Sequence, residues 1–280
     1  MQFRFGLAAG TSIAYRCAAS NSSGRNPILF MRLRFAISII AASIIAPAVT
    51  AQTLKEPTVD ELVSKNIEAK GGANALKALQ SLRRKGKLLV NQGQIEFAYE
   101  ETKKRPGQVR VELTLQGMTQ IQAFDGKEGW KVSPFQGRKD PEKMSADDTK
   151  SLMEDAEIDG PLVDWKAKGS TVDYLGTEDV DGTLAHKLKV LRKNGDMSYV
   201  YLDPEHFLEI RIRTQRVEQG AQIEVETDVG DYEKIGGVFI PFSIDAGPKG
   251  ASDKQKVVIE KAEANVPVED AVFRFPSAAK

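Results

Sequence analysis

The side chains best suited to chemistry are few in this sequence. It has two histidines, His186 and His206, and one cysteine, Cys17, near its start. A transition-metal site needs three or four such ligands at short, regular spacing. His186 falls in an alternating segment and His206 follows a turn, so no spacing pairs them. A lone histidine on a strand is ordinarily a surface or hydrogen-bonded core residue. Glu154, Asp155, Glu157 and Asp159 crowd one helical segment and its end, which reads as a solvated face. Paired acids for glycoside cleavage come instead from separate elements around a cleft. Neither G-x-S-x-G nor H-E-x-x-H occurs, and Gly71-Gly72 ends a helix, the wrong terminus for holding a phosphate. The residues therefore nominate no catalytic group, no metal and no cofactor.

The elements around them are plainer. "TVDELVSKNIEAKGG" (58–72) places Thr58 three residues before Glu61, a capping box, with Val59, Leu62, Val63 and Ile67 on one face and a glycine stop. "ANALKALQ" predicts a second short helix. From Ser81 the period changes to two: "GQIEFAYE" aligns Ile95, Phe97 and Tyr99, and "QVRVELTL" aligns Val109, Val111, Leu113 and Leu115. "TQIQAF" and the Asp125-Gly126 turn continue the pattern. The segment 133–144 reads as a loop, and Ser145 caps a helix over "SADDTKSLMEDAEI". After "DGPLVDW" returns the chain to the sheet, four strands punctuated by Asp181-Gly182, Asn194-Gly195 and Asp203-Pro204 follow, then about three more. About ten short strands in succession with two helical inserts predict one α+β domain, mainly β: a single curved antiparallel sheet covered by helices.

Such a sheet has one strongly apolar face. If it is half-closed, that face lines a cavity whose walls include Ile95, Phe97, Tyr99, Val111, Leu113, Leu115, Ile121 and Trp130, with Leu208, Ile210 and Ile212 from a later strand. The same residues would equally serve an ordinary packed core. Leu62, Ile67, Leu152 and Met153 of the helices would form a fixed cover or a mobile lid.

The start of the chain concerns location. From Met31, the basic residues Arg32 and Arg34 precede an apolar run, Phe35 to Ala46, and Val49 and Ala51 stand at the −3 and −1 positions of a signal-peptidase site. This predicts a signal peptide over 31–51, cleavage after Ala51, and a true translation start at Met31 that leaves 1–30 as a misassigned or disordered leader. Residues 1–51 hold five arginines and no acid, so the 39 basic and 39 acidic residues of the whole chain become 34 and 39 in the remaining 229. A mildly acidic domain of this kind has no general basic field for nucleic acid. Cys17 is removed too, and Gln52 stands where a lipoprotein would carry cysteine. The expectation is an exported, soluble, unacylated periplasmic monomer held together by core burial.

Several stretches, in order, resemble one family over residues 58–276: "KGGANALKALQSLRRKGKL", "LGTEDVDGTLAHKLKV", "YVYLDPEHFLEIR", "DYEKIGGVFIPFSI" and "NVPVEDAVFRFP". They are similar to the LolA/LolB-like outer-membrane lipoprotein-sorting proteins. The resemblance implies an unclosed half-barrel with helices over its mouth, sheltering lipoprotein acyl chains or other lipids in transit toward the outer membrane, without catalytic residues. This chain is longer around 133–165. Arg83, Arg84, Arg105 and Arg110 all lie near the place of that family's lid-latching arginine. The other function it leaves open is a periplasmic sensor or interaction module that binds lipid or peptide and regulates a membrane protein partner.

Overall fold

Thr58 starts the first helix. Its hydroxyl accepts from the Glu61 N–H at 3.2 Å, and the Glu61 carboxylate accepts from the Thr58 N–H at 2.7 Å. Two amides that a helix start leaves unpaired are thereby satisfied, and α1 runs Val59–Ala69. It ends at Gly71, whose φ is +115°. A Cβ there would meet the Gly237 carbonyl oxygen at 2.2 Å, so only glycine permits this approach. The approach lets the Lys70 carbonyl accept from the Phe239 N–H at 2.9 Å, tying the helix end to the sheet. A short helix, α2, spans Ala73–Ala78, and α3 spans Ala146–Asp155 behind a Ser145 cap.

The computed structural model describes residues 55–218 and 221–276; the expected leader at 1–30 and signal peptide at 31–51 lie outside them. Among the described residues are thirteen strands. The first six are β1 (Ser81–Val90), β2 (Ile95–Lys104), β3 (Gln108–Leu115), β4 (Met118–Phe124), β5 (Gly129–Ser133) and β6 (Arg138–Lys143). The others are β7 (Thr171–Val180), β8 (Thr183–Leu191), β9 (Met197–Leu202), β10 (Glu209–Glu218), β11 (Ala221–Ile235), β12 (Val238–Pro248) and β13 (Gln255–Ala264). The segment 133–144, expected as a loop, holds β6. Its Arg-Lys-Asp-Pro-Glu-Lys sequence has no apolar alternation to betray a strand, and its pairing to β5 makes it one.

All thirteen form one antiparallel sheet in the order β6-β5-β4-β3-β2-β1-β13-β12-β11-β10-β9-β8-β7. The chain meanders from β1 out to the β6 edge, and from the β7 edge back to β13, which pairs with β1. One connection cannot be a hairpin. Residues 144–170, containing α3, carry the chain from one edge of the sheet to the other and must cross a face of it. Laid flat, twelve strand spacings of about 4.8 Å would put the edges roughly 58 Å apart.

The sheet is not flat. Lys103 of β2 and Met197 of β9 line one cavity although six spacings, about 29 Å on a flat sheet, separate their strands. Bulges at Lys85/Gly86, Tyr174/Thr177 and Glu209/Arg211 help bend it. The result is an unclosed half-barrel, mainly β, with helices on one face.

Three apolar clusters fix those helices. Leu62 and Val63 of α1 pack on Val172, Leu188, Val200 and Leu202 of β7–β9. Leu76 of α2, with Leu79, packs on Leu82, Val238 and Ile240. Leu152 of α3 and Ala156 pack on Val109 and Phe124. A fourth cluster, Val180, Ala185 and Tyr201, lies on the opposite face. Both edges resist pairing with other chains: β6 is charged and carries Pro141, and β7 is broken by its bulge.

Candidate functional site

The crossover is the centre of the site. After α3 the chain dips between sheet and helices, burying Pro161, Leu162 and Val163, and only then reaches β7. Leu162 joins the α1 cluster and Val163 the α2 cluster, with Ile158 packed beside it. Residues 157–163 thus form a strap across the inside of the half-barrel. Cations from separate parts of the chain hold its acidic end. The Arg105 guanidinium, on the turn after β2, donates to both Asp159 carboxylate oxygens at 2.7 and 2.5 Å. Lys70, at the end of α1, donates to the Asp159 carbonyl at 3.0 Å and pairs with Glu209 at 3.0 Å. Lys168 pairs with Glu157 and donates to the Gly160 carbonyl, and Arg192 pairs with Glu157 at 3.0 Å. Glu157 and Asp159, expected on a solvated face, instead turn inward because the chain leaves the helix at Ala156 and these cations converge on it.

Two adjoining cavities of about 210 and 220 Å³ flank the strap. Lys103, Glu157, Gly160, Pro161 and Ile212 line both, so the strap is part of the wall between them. The first is otherwise mainly apolar, with Leu79, Leu82, Val229, Val238 and Ile240. A wider opening of about 480 Å³ lies between the turns after β2 and β8 and is lined by Arg105, Met153, Ile158, Asp159, Lys168 and Arg192 among others.

The floor carries a buried ion pair. Arg84 of β1 and Glu101 of β2 stand opposite each other in register, with N–O contacts of 2.7 and 2.6 Å. Burial works against both charges. Even so, Glu101 keeps the Arg84 pKa above its ordinary value, and Arg84 with Lys103 keeps Glu101 below the usual carboxylate range. Beside them, burial and then the Glu101 charge push the Tyr99 hydroxyl up.

Strand register decides where the expected wall residues lie. Paired residues of an antiparallel ladder share a face, and Leu88↔Phe97, Tyr99↔Leu113 and Glu101↔Val111 put Phe97, Tyr99, Val111 and Leu113 on the helix-bearing side. Ile95 and Leu115 follow by alternation, and Ile212 pairs with Val200 of the α1 cluster. Among the expected wall residues, only Ile212 lines the two cavities; Tyr99, Val111, Leu113 and Leu115 form a half-buried apolar wall beside α3. Ile121 and Trp130 require correction. Glu112↔Ile121 and Ala123↔Trp130 place both on the outer face, where Trp130 donates to the Phe273 carbonyl at 2.7 Å beneath the C-terminal turn. Ile210 is also turned outward by the β10 bulge and packs against Tyr201 and its neighbours. Leu208 sits half-buried at the turn before β10, outside the cavity walls. Of the lid residues, Leu62 and Leu152 are buried, Ile67 is half-buried, and Met153 is exposed at the wide opening.

The four candidate arginines separate cleanly. Arg83 faces Glu100, Arg84 is the buried partner of Glu101, and Arg110 lies over Trp130 on the outer face. Arg105 is the one of the four that reaches α2, donating to the Leu79 and Leu76 carbonyls at 2.8 and 3.0 Å while it holds Asp159. No signal in the sequence marked Lys70, Glu101, Arg105 or Asp159 as a group; an apolar run without period after an acidic helix, "EIDGPLVDW", was the available hint of the strap. His186 accepts or donates at 3.1 Å with the Tyr174 hydroxyl and stacks on Phe207, a satisfied position, and His206 is exposed beside Asp203.

No protein-family model matches the sequence, and no curated protein matches it significantly. Solved structures do. A DUF1329 family protein from Desulfovibrio piger superposes with a TM-score of 0.55 at 10% identity, over 78% of this chain and 98% of that one. A domain from Vibrio parahaemolyticus, provisionally named as outer membrane lipoprotein-sorting, gives 0.53 at 10% identity, over 77% and 97%. A LolA superfamily protein from Nitrosomonas europaea gives 0.51 at 11% identity, over 78% and 98%. The fold is LolA-like. At such identities the likeness is one of architecture, and the LolA-like sheet is what brings Arg84, Glu101, Arg105 and the strap into one groove.

Proposed function

We propose that this chain is a carrier of acyl lipid, exported to the periplasm as a single mature domain over 52–280, monomeric and without a catalytic step. The reading rests above all on the half-buried apolar wall of Tyr99, Val111, Leu113 and Leu115 beside cavities that the crossover segment and helices cover. Each buried methylene of an acyl chain contributes about 0.8 kcal/mol, so a chain laid along that wall supplies the binding energy. Neither cavity reaches the roughly 300 Å³ at which ligand pockets begin. Loading therefore requires the strap to lift, with Arg105 as the latch between strap and α2. Opening toward an acceptor membrane would release the cargo.

Leu113→Glu puts a charge into the wall and is expected to abolish lipid co-purification while the protein stays folded. Native mass spectrometry of protein taken from a bacterial periplasm is the assay, and an intact mass beginning at Gln52 checks export in the same sample. Absence of lipid, together with no displacement of an acyl probe, would sink the carrier reading. The small volume of the two cavities favours one other function, a sensor module whose groove is filled by its own chain. That function predicts a stable complex with a membrane protein, recoverable after crosslinking.

A further inference from the structure

We propose that the carried lipid has an anionic headgroup, and that the strap occupies the groove as its surrogate; the inference rests on the carrier reading above. The strap is itself amphipathic in the required order. Its carboxylates, Glu157 and Asp159, sit at the wide opening, while Ile158, Leu162 and Val163 pack into the apolar interior. The cations that receive the carboxylates come from sequence positions far apart: Arg105 after β2, Lys168 before β7, and Arg192 after β8. Lys193 lines the same opening and has no acidic partner among the described residues.

Among the described residues, Glu157 and Asp159 are the only acids lining this opening, and both belong to the strap. When the strap lifts, Arg105, Lys168, Arg192 and Lys193 lose the two carboxylates that share this opening with them, and Glu154, Asp155 and Asp196 remain only along the adjoining cavity. A neutral lipid would fill the apolar space and leave those cations unpaired. A phosphate or carboxylate at the head of an acyl chain replaces the lost carboxylates and accepts the same charge-assisted hydrogen bonds. The forked geometry of Arg105 on Asp159 suits either group.

The test offers the full-length mature protein vesicles of phosphatidylglycerol, vesicles of phosphatidylcholine, or inorganic phosphate alone. Bound lipid is counted by native mass spectrometry, and strap opening is followed by hydrogen exchange over 157–163. Phosphatidylglycerol should load about tenfold over phosphatidylcholine, the preference one strong charged contact supplies. Lys193→Glu, at an exposed position that makes no ion pair with the strap, should lower phosphatidylglycerol loading toward the phosphatidylcholine level and leave hydrogen exchange over 157–163 in the lipid-free protein unchanged. Equal loading of the two lipids in the wild type would overturn the headgroup assignment and leave the carrier reading standing. Loading of neither would overturn both. Strap opening by inorganic phosphate alone would assign the cations to a free anion and overturn the lipid assignment.

Discussion

Glu101→Gln isolates the ion pair beneath the groove. Arg84 and Glu101 have side chains only 9% and 5% exposed, so the substitution leaves a guanidinium inside the half-barrel with no full counter-charge. Breaking one side of such a pair costs about 3–5 kcal/mol, because the stranded charge keeps its desolvation penalty. For a domain of this size, with about 2–4 °C in Tm per kcal/mol, the loss amounts to roughly 6–20 °C. Replacing both residues by Arg84→Met and Glu101→Leu should recover most of it, since neither charge is then buried. The effect has a defined pH dependence. Glu101 has its folded pKa lowered from 4.5, so its contribution is fully present above that value and fades as pH falls through the lowered one. The gap between wild type and Glu101→Gln should therefore close in acid. Urea unfolding followed by far-UV circular dichroism at neutral and acid pH measures it. A Glu101→Gln protein within about 1 kcal/mol of wild type at pH 7, or a gap that does not shrink in acid, would refute the reasoning.

Two further substitutions test the cover and the outer face. Arg105→Ala removes the bidentate contact to Asp159 and two bonds to the end of α2, so amide exchange over 157–163 should rise at least about tenfold while β8 and β9 stay protected. Trp130→Ala removes a buried indole, 2% exposed, and its bond to the Phe273 carbonyl; a loss of about 3–5 kcal/mol and early proteolysis after Asp270 are expected, without change in lipid loading.

The helices were legible because their signals are local. Thr58 with Glu61, Ser145, and Gly71 act within a few residues, and each behaves as its type and spacing indicate. The alternation of "GQIEFAYE" and "QVRVELTL" was legible for the same reason. Phase between strands was not. A strand's apolar stripe shows that it has two faces, but the turn before it decides which face meets the helices. The two-residue turn Gln116-Gly117 brings Met118, Gln120, Gln122 and Phe124 to the side of Leu113 and sends Ile121 out. At Ile210 a bulge does the same. The groove was least legible of all, since its charges come from distant segments that the wrapping of the sheet assembles.

A closed barrel has its girth set by strand number and shear, and widening it means breaking ladder hydrogen bonds. This sheet ends in β6 and β7, two edges whose charges, proline and bulge refuse further pairing. Its interior can therefore widen by a change of twist spread over twelve ladders, with every backbone bond retained. One such container suits contents of unequal bulk, because the open seam works as an expansion joint.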